Sequence, residues 1–185
     1  MFPFRRRRQA AKIDALYGAI VAQARRPAFY ADYGVADTVA GRFDMVVLHA
    51  VLVLRRLRAA PEGFGGLGQE VFDAFCRDMD GNLREMGVGD LAVPRQMREF
   101  GEAFYGRAAA YDRALAADDE GELIATLGRN VFAGADRGDA ARLAAYVREA
   151  ERRLAGDEGW LATGPAPFPD PGAIAPAAAP RAAAC

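Results

Sequence analysis

The sequence predicts an all-α protein: a single compact bundle of about six helices, followed by a disordered Pro/Ala-rich C-terminal tail. Three observations carry this. Apolar side chains recur at helical spacing in segment after segment. No stretch alternates polar and apolar residues as a half-buried strand would. Six of the ten prolines lie beyond Gly164, among alanines, a composition that cannot build a packed core.

The first helix is expected over residues 9–24, with Ile13, Leu16, Tyr17, Ile20 and Val21 on one face and Pro27 ending it. Residues 29–36 read as an aromatic-rich connection. A second helix starts at Asp37 or Thr38, both good caps, and runs to residue 59. Its middle is apolar all round, which marks it as the central, buried helix. Arg55, Arg56 and Arg58 close it, where cations suit the negative end of the helix dipole. The third helix, residues 67–86, has a broad apolar stripe from Val71, Phe72, Phe75 and Cys76 to Met79, Leu83 and Met86. Asp73–Arg77 and Asp80–Arg84 are i,i+4 pairs, and Gly87 sits where a helix-terminating glycine belongs. Pro94 opens a fourth helix to residue 117, with Met97, Phe100, Phe104, Tyr111 and Leu115 inward. Asp119 with Glu122 caps a fifth, to residue 133. Asp136 or Asp139 starts the last, ending at residue 155, with Leu143, Tyr146, Val147, Ala150 and Leu154 inside. The organisation is a basic arm (1–8), a helical domain (9–156) and a disordered tail (157–185).

Composition excludes whole classes of chemistry. There is no serine, one lysine (Lys12) and one histidine (His49). A Ser–His–Asp triad and a Ser–Lys pair are therefore impossible. His49, Cys76 and Cys185 lack metal-ligand spacing, and two cysteines make no disulfide framework. Cys76 reads as a small core residue. A net charge of −1 does not call for DNA. No apolar run reaches the about 18 residues of a membrane span, and no apolar segment follows Arg5–Arg8 as in a secretory signal. The expected location is cytoplasmic.

Several motifs weaken on inspection. Gly63-Phe-Gly65-Gly-Leu-Gly68 and Gly87-Val-Gly89-Asp-Leu-Ala92 match dinucleotide-binding turns, but both follow helices where such turns need a strand. Asp78-Met-Asp80-Gly-Asn82 begins like a calcium loop, yet Leu83 and Gly89 occupy the positions of its glycine and glutamate. Met45 and His49 share a helical face, and both residue types bind haem axially. A haem- or lipid-handling carrier with a pocket around them is the alternative reading. The other reading is a core methionine beside a histidine with a polar partner, for which the carboxylates of the third helix are candidates.

The ordered blocks together resemble the ubiquinol–cytochrome c chaperone family, whose members assist assembly of ubiquinol–cytochrome c reductase. The resemblance rests on Phe29-Tyr-Ala-Asp-Tyr-Gly-Val-Ala-Asp-Thr38, Gly41-Arg-Phe-Asp44, Leu48-His49, Gln69 with Phe72-Asp73, Asp78-Met-Asp80, Asn82-Leu-Arg-Glu-Met-Gly-Val-Gly-Asp90, Val93-Pro94, Phe104-Tyr-Gly-Arg107 and Ala110-Tyr-Asp112. It implies an all-helical protein that is not an enzyme and carries no cofactor. It also implies binding of newly made cytochrome b near the ribosome, at the inner membrane, with a small co-chaperone. An apolar client needs an apolar surface with a polar rim. Phe29, Tyr30, Tyr33 and Phe64 are the expected surface; Asp37, Arg42, Asp80, Arg84, Asp90 and Arg107 are the expected rim. Asp44, His49 and Asp73 are expected in a structural polar core. Arg5, Arg6, Arg7 and Arg8 are expected to touch anionic membrane or ribosome, placing a bacterial protein at the cytoplasmic face of the inner membrane.

Overall fold

A computed structural model describes residues 2–60, 64–117, 119–134, 137–156 and 158–175. Its long helices are α1 (Phe2–Ala24), α3 (Val39–Arg58), α4 (Gly65–Glu85), α5 (Val93–Ala116), α6 (Glu120–Val131) and α7 (Arg137–Gly156). Two short helices, α2 (Pro27–Ala31) and α8 (Gly159–Thr163), and a 3-10 turn (Pro171–Ala173) complete them. There is no strand among the described residues.

Helix α3 is the axis. Residues 44–53 are buried without interruption, so every side of the helix is covered. α1, α4, α5, α6 and α7 pack around it. Its start is fixed by Thr38, whose hydroxyl accepts from the Gly41 amide at 3.1 Å. Gly41 is required there: a Cβ would stand 2.0 Å from the Ala36 carbonyl oxygen. Its C-terminal arginines tie neighbouring helices together. Arg55 reaches Glu151 at 3.0 Å and Arg58 reaches Asp112 at 2.7 Å, while Arg56 pairs with Glu158.

α4 ends as expected at Gly87. The Val88 amide donates to Leu83 O and the Gly87 amide to Arg84 O, both at 3.0 Å, with Gly87 at φ +80°. A tight turn then delivers Pro94 into the first turn of α5. Asp119 caps α6 through the Gly121 amide at 2.8 Å.

Two expectations about connections change. The stretch after Pro27 is not only a link: α2 forms there, and Phe29 and Tyr33 are fully buried. The expected tail is ordered as far as Ala175. Trp160 and Leu161 are buried, and Trp160 Nε1 donates to Leu154 O at 3.2 Å. Residues 164–175 form a strap across α1, α2 and α7. The basic arm likewise continues α1 from Phe2. The side chains of Arg5 and Arg6, the residues Gly63, Asp136 and Cys185, and the tail from residue 176 lie outside the described residues.

Candidate functional site

The one histidine closes a relay of hydrogen bonds in the core. His49 has no exposed surface. Its Nδ1 lies 2.7 Å from Met45 O and its Nε2 2.8 Å from the Tyr146 hydroxyl. A carbonyl only accepts, so Nδ1 carries the proton and Nε2 accepts from Tyr146. Gln23 Nε2 spends one proton on the Tyr146 hydroxyl at 2.9 Å and the other on Pro169 O at 2.7 Å. Both His49 nitrogens, the Tyr146 hydroxyl and the Gln23 amide nitrogen are thereby engaged with the imidazole neutral. Burial pushes the His49 pKa down to about 4, opposed by the Met45 carbonyl. Phe29, Tyr146 and Phe168 enclose the ring, with centroids 5.4, 5.6 and 5.1 Å away.

This arrangement gives no support to the haem- or lipid-carrier reading: both ring nitrogens of His49 are engaged within the protein, and Met45 is equally enclosed. The partner of His49 is also not a carboxylate of α4; it is a tyrosine of α7. Among the described residues no group of His, Cys, Asp and Glu could hold a metal ion.

A second polar cluster lies between α3 and α5. Arg107 Nη2 stands 2.7 Å from Asp44 Oδ1. The pair is a close ion contact, partly shielded from solvent on both sides. Burial raises the Asp44 pKa, and Arg107 counteracts it. The guanidinium also lies over the Phe43 ring, 5.8 Å from its centre. The Tyr111 hydroxyl is buried without a hydrogen-bond partner, and its pKa is raised by burial and then by Asp44. Arg107 is thus an inward-facing residue and not part of a surface rim. Asp73 departs the other way: it is exposed and accepts from Gln69 at 2.7 Å, so it is no part of a polar core.

The expected aromatic surface is largely internal. Phe29 and Tyr33 have no exposed area, because α2 turns them onto His49 and Tyr146. Tyr30 is half-buried, its hydroxyl donating to Ala24 O at 2.8 Å. Phe64 is half-buried beneath Lys12, with the ammonium 5.0 Å from the ring centre.

The apolar surface lies elsewhere. Among the described residues the exposed large apolar side chains are Val39 (68%), Met86 (63%), Leu91 (100%) and Tyr105 (62%). α3, α4 and α5 follow one another through short connections and pack together, so they run antiparallel and the start of α3 falls at the same end of the bundle as the α4–α5 turn. Met86 and Leu91 flank the α4–α5 turn, and Val39 begins α3. Phe43, one turn after Val39, stacks on Phe100 of α5 at 5.0 Å and lies 6.2 Å from Phe75 of α4. That packing sets the start of α3 beside the turn. Ion pairs stand at the same two helix boundaries. Arg84 bridges Asp80 at 2.7 Å and Asp90 at 2.6 Å, and Arg42 pairs with Asp37 at 2.6 Å. The arginine beside each holds the Asp80 and Asp37 carboxyls below the usual carboxylate range. The expected rim residues Asp37, Arg42, Asp80, Arg84 and Asp90 are therefore brought to one end. Of the apolar residues beside them, Val39 and Leu91 were not singled out by the sequence, and Met86 corrects it: it reads as the last inward member of the α4 stripe, but α4 ends at Glu85 and Met86 is 63% exposed past the helix end.

No helix among the described residues is long and apolar enough to cross a membrane.

Residues 31–159 match a family model described as ubiquinol-cytochrome C chaperone. The mitochondrial protein CBP3 of Saccharomyces cerevisiae is 32% identical over 123 residues, which are 65% of this chain and 36% of CBP3. The chain thus spans about a third of the length of that relative. The crystal structure of a Cbp3 homolog from Brucella abortus superposes with a TM-score of 0.83 at 37% identity. That alignment covers 93% of this chain and 97% of the other.

Proposed function

The chain belongs to the ubiquinol-cytochrome C chaperone family, and on that premise we propose that it is an assembly chaperone for ubiquinol–cytochrome c reductase that holds newly made cytochrome b. The client face is the end of the bundle where Val39, Met86 and Leu91 stand exposed inside the Asp37–Arg42 and Asp80–Arg84–Asp90 pairs. One observation carries the reading: a fully exposed Leu91 beside a 63% exposed Met86, on a tight turn of a rigid helical pair. Exposed apolar side chains rimmed by paired charges suit a partner that is itself apolar. The rim supplies register: ion pairs already formed within the chaperone leave no lone charge to be buried when a client docks.

On the same reading the protein works at the cytoplasmic face of the inner membrane. Arg5, Arg6, Arg7 and Arg8 are the proposed contacts with anionic lipid, each worth about 1 kcal/mol near such a surface. A small co-chaperone and the ribosome are the further partners. No catalytic step is part of this role.

Photocrosslinking tests the client face. A probe at Leu91, in cells translating cytochrome b, is expected to give an adduct with that protein. A probe at Asp73, on the outer face of α4, is expected to give none. Equal adducts from both positions, or none from Leu91, would remove the bundle end from the account.

A further inference from the structure

The strap 164–175 is held in a manner that has its own chemistry. Its prolines have no amide protons, so its carbonyls need donors from outside. The fold provides them in sequence along the strap. Gln23 donates to Pro169 O at 2.7 Å, Tyr33 to Pro171 O at 2.8 Å, and Arg142 to Ile174 O at 3.3 Å. Arg142 also lies over the Tyr33 ring, 4.2 Å from its centre. Arg26 pairs with Asp170 at 2.7 Å. Pro169 and Pro171 are buried, and Phe168 packs edge-on against His49. The strap backbone is extended there: Asp170 has φ −71° and ψ +119°.

Aromatic walls with hydrogen-bond donors aimed at the carbonyls of an extended proline-rich segment are how such segments are recognised. We propose that the cleft between α1, α2 and α7 is a docking groove for an extended proline-rich peptide of a partner protein, and that residues 165–171 are its resident intramolecular ligand. The side chains that line the cleft come from the helical body and the strap from the segment after it: Tyr33, His49, Arg142 and Tyr146 lie within residues 31–159, the matched family segment. Apart from the exposed Arg26–Asp170 pair, the contacts that hold the strap read backbone carbonyls, proline rings and the Phe168 ring, so they accept other segments with prolines at this spacing and an aromatic residue ahead of them. The tethered strap competes with a partner at an effective concentration in the millimolar range, which makes docking selective for a tighter or locally concentrated peptide.

The test is fluorescence anisotropy with a labelled synthetic peptide of residues 164–175. Three full-length chains are compared: the parent, Phe168→Ala/Asp170→Ala with a weakened strap, and that double variant with Tyr33→Phe added. The weakened-strap chain is expected to bind the peptide at least about tenfold tighter than the parent, with the intramolecular competitor loosened. Tyr33→Phe is expected to lower that affinity about fivefold, the loss of one hydrogen bond. A peptide with alanine for Pro169 and Pro171 is expected not to bind. Equal binding of the alanine peptide, or no binding by a weakened-strap chain whose helical circular dichroism is intact, overturns the proposal. So does formation of strap-exchanged dimers, seen by light scattering, that added peptide does not dissociate. Should the double variant unfold, the parent decides. Saturating peptide must then accelerate hydrogen exchange at the Gly172 amide, which is bonded to Asp170 in the closed strap; unchanged exchange is the contrary result.

Discussion

At the scale of single residues, the core separates polar groups that are satisfied from groups that are not. His49 is neutral, with both nitrogens bonded, and burial holds its pKa near 4 against an ordinary value of 6.5. Between those values the unfolded chain binds the proton that the folded chain refuses. Stability therefore rises with pH across that window and falls as pH drops from 6.5 towards 4. The expected loss is about 3 kcal/mol at most, read by urea unfolding at stepped pH. His49→Gln should remove that slope while lowering stability at neutral pH. Two tyrosines give a sharper contrast. Tyr146 donates to His49 and accepts from Gln23, so Tyr146→Phe should cost about 1–3 kcal/mol. The Tyr111 hydroxyl is buried with no partner, so Tyr111→Phe should be neutral or stabilising by the same measurement. A comparable loss in both would show that the Tyr111 hydroxyl has a partner after all.

At the scale of elements, helices are specified locally where a side chain or a glycine decides a boundary. Gly87 takes a left-handed conformation with open space around it, so Gly87→Ala should cost about 1 kcal/mol from backbone strain alone. Gly41→Ala meets the Ala36 carbonyl and should cost about 2 kcal/mol or more; thermal melts of the two variants distinguish strain from collision. Both positions show in the sequence, one as a glycine ending an apolar stripe and one as a glycine three residues after a threonine cap. α3 was equally plain, because the apolar run Met45–Leu54 is broken only at His49, and residues 44–53 have no solvent face. α2 was not, since five residues are too few for periodicity to register. The strap was hidden for another reason. Its composition is that of a disordered tail, and the groups that order it, Gln23, Tyr33 and Arg142, are remote in sequence. Trp160 was the available signal: a large apolar side chain has no reason to sit in a solvated tail. Trp160→Ala should cost about 3–5 kcal/mol, where a disordered tail would give no change in the unfolding midpoint.

At the scale of the whole molecule, one central helix is walled on every side, and among the described residues three of the four exposed large apolar side chains, Val39, Met86 and Leu91, stand at the start of α3 and the α4–α5 turn. Of the ion pairs there, Asp80–Arg84 was legible as an i,i+4 pair on α4, whereas Asp37–Arg42 and Arg84–Asp90 form across helix ends that spacing does not announce. The exposure of the apolar residues beside them was not legible, because a sequence does not say which apolar residue falls outside a stripe's reach into the core. Phe29 and Tyr33 illustrate the converse: without helical periodicity they read as surface, yet α2 folds them under the strap. The proposed division of labour follows from this layout, with a rigid core for stability and an exposed end for a client. The most direct measurement is the level of assembled ubiquinol–cytochrome c reductase in cells carrying Leu91→Asp/Met86→Asp in place of the parent gene. Both side chains are exposed, so the variant should melt within about 0.5 kcal/mol of the parent. The account predicts a folded protein with reductase reduced to the level of a deletion strain. Normal reductase with this folded variant would contradict it.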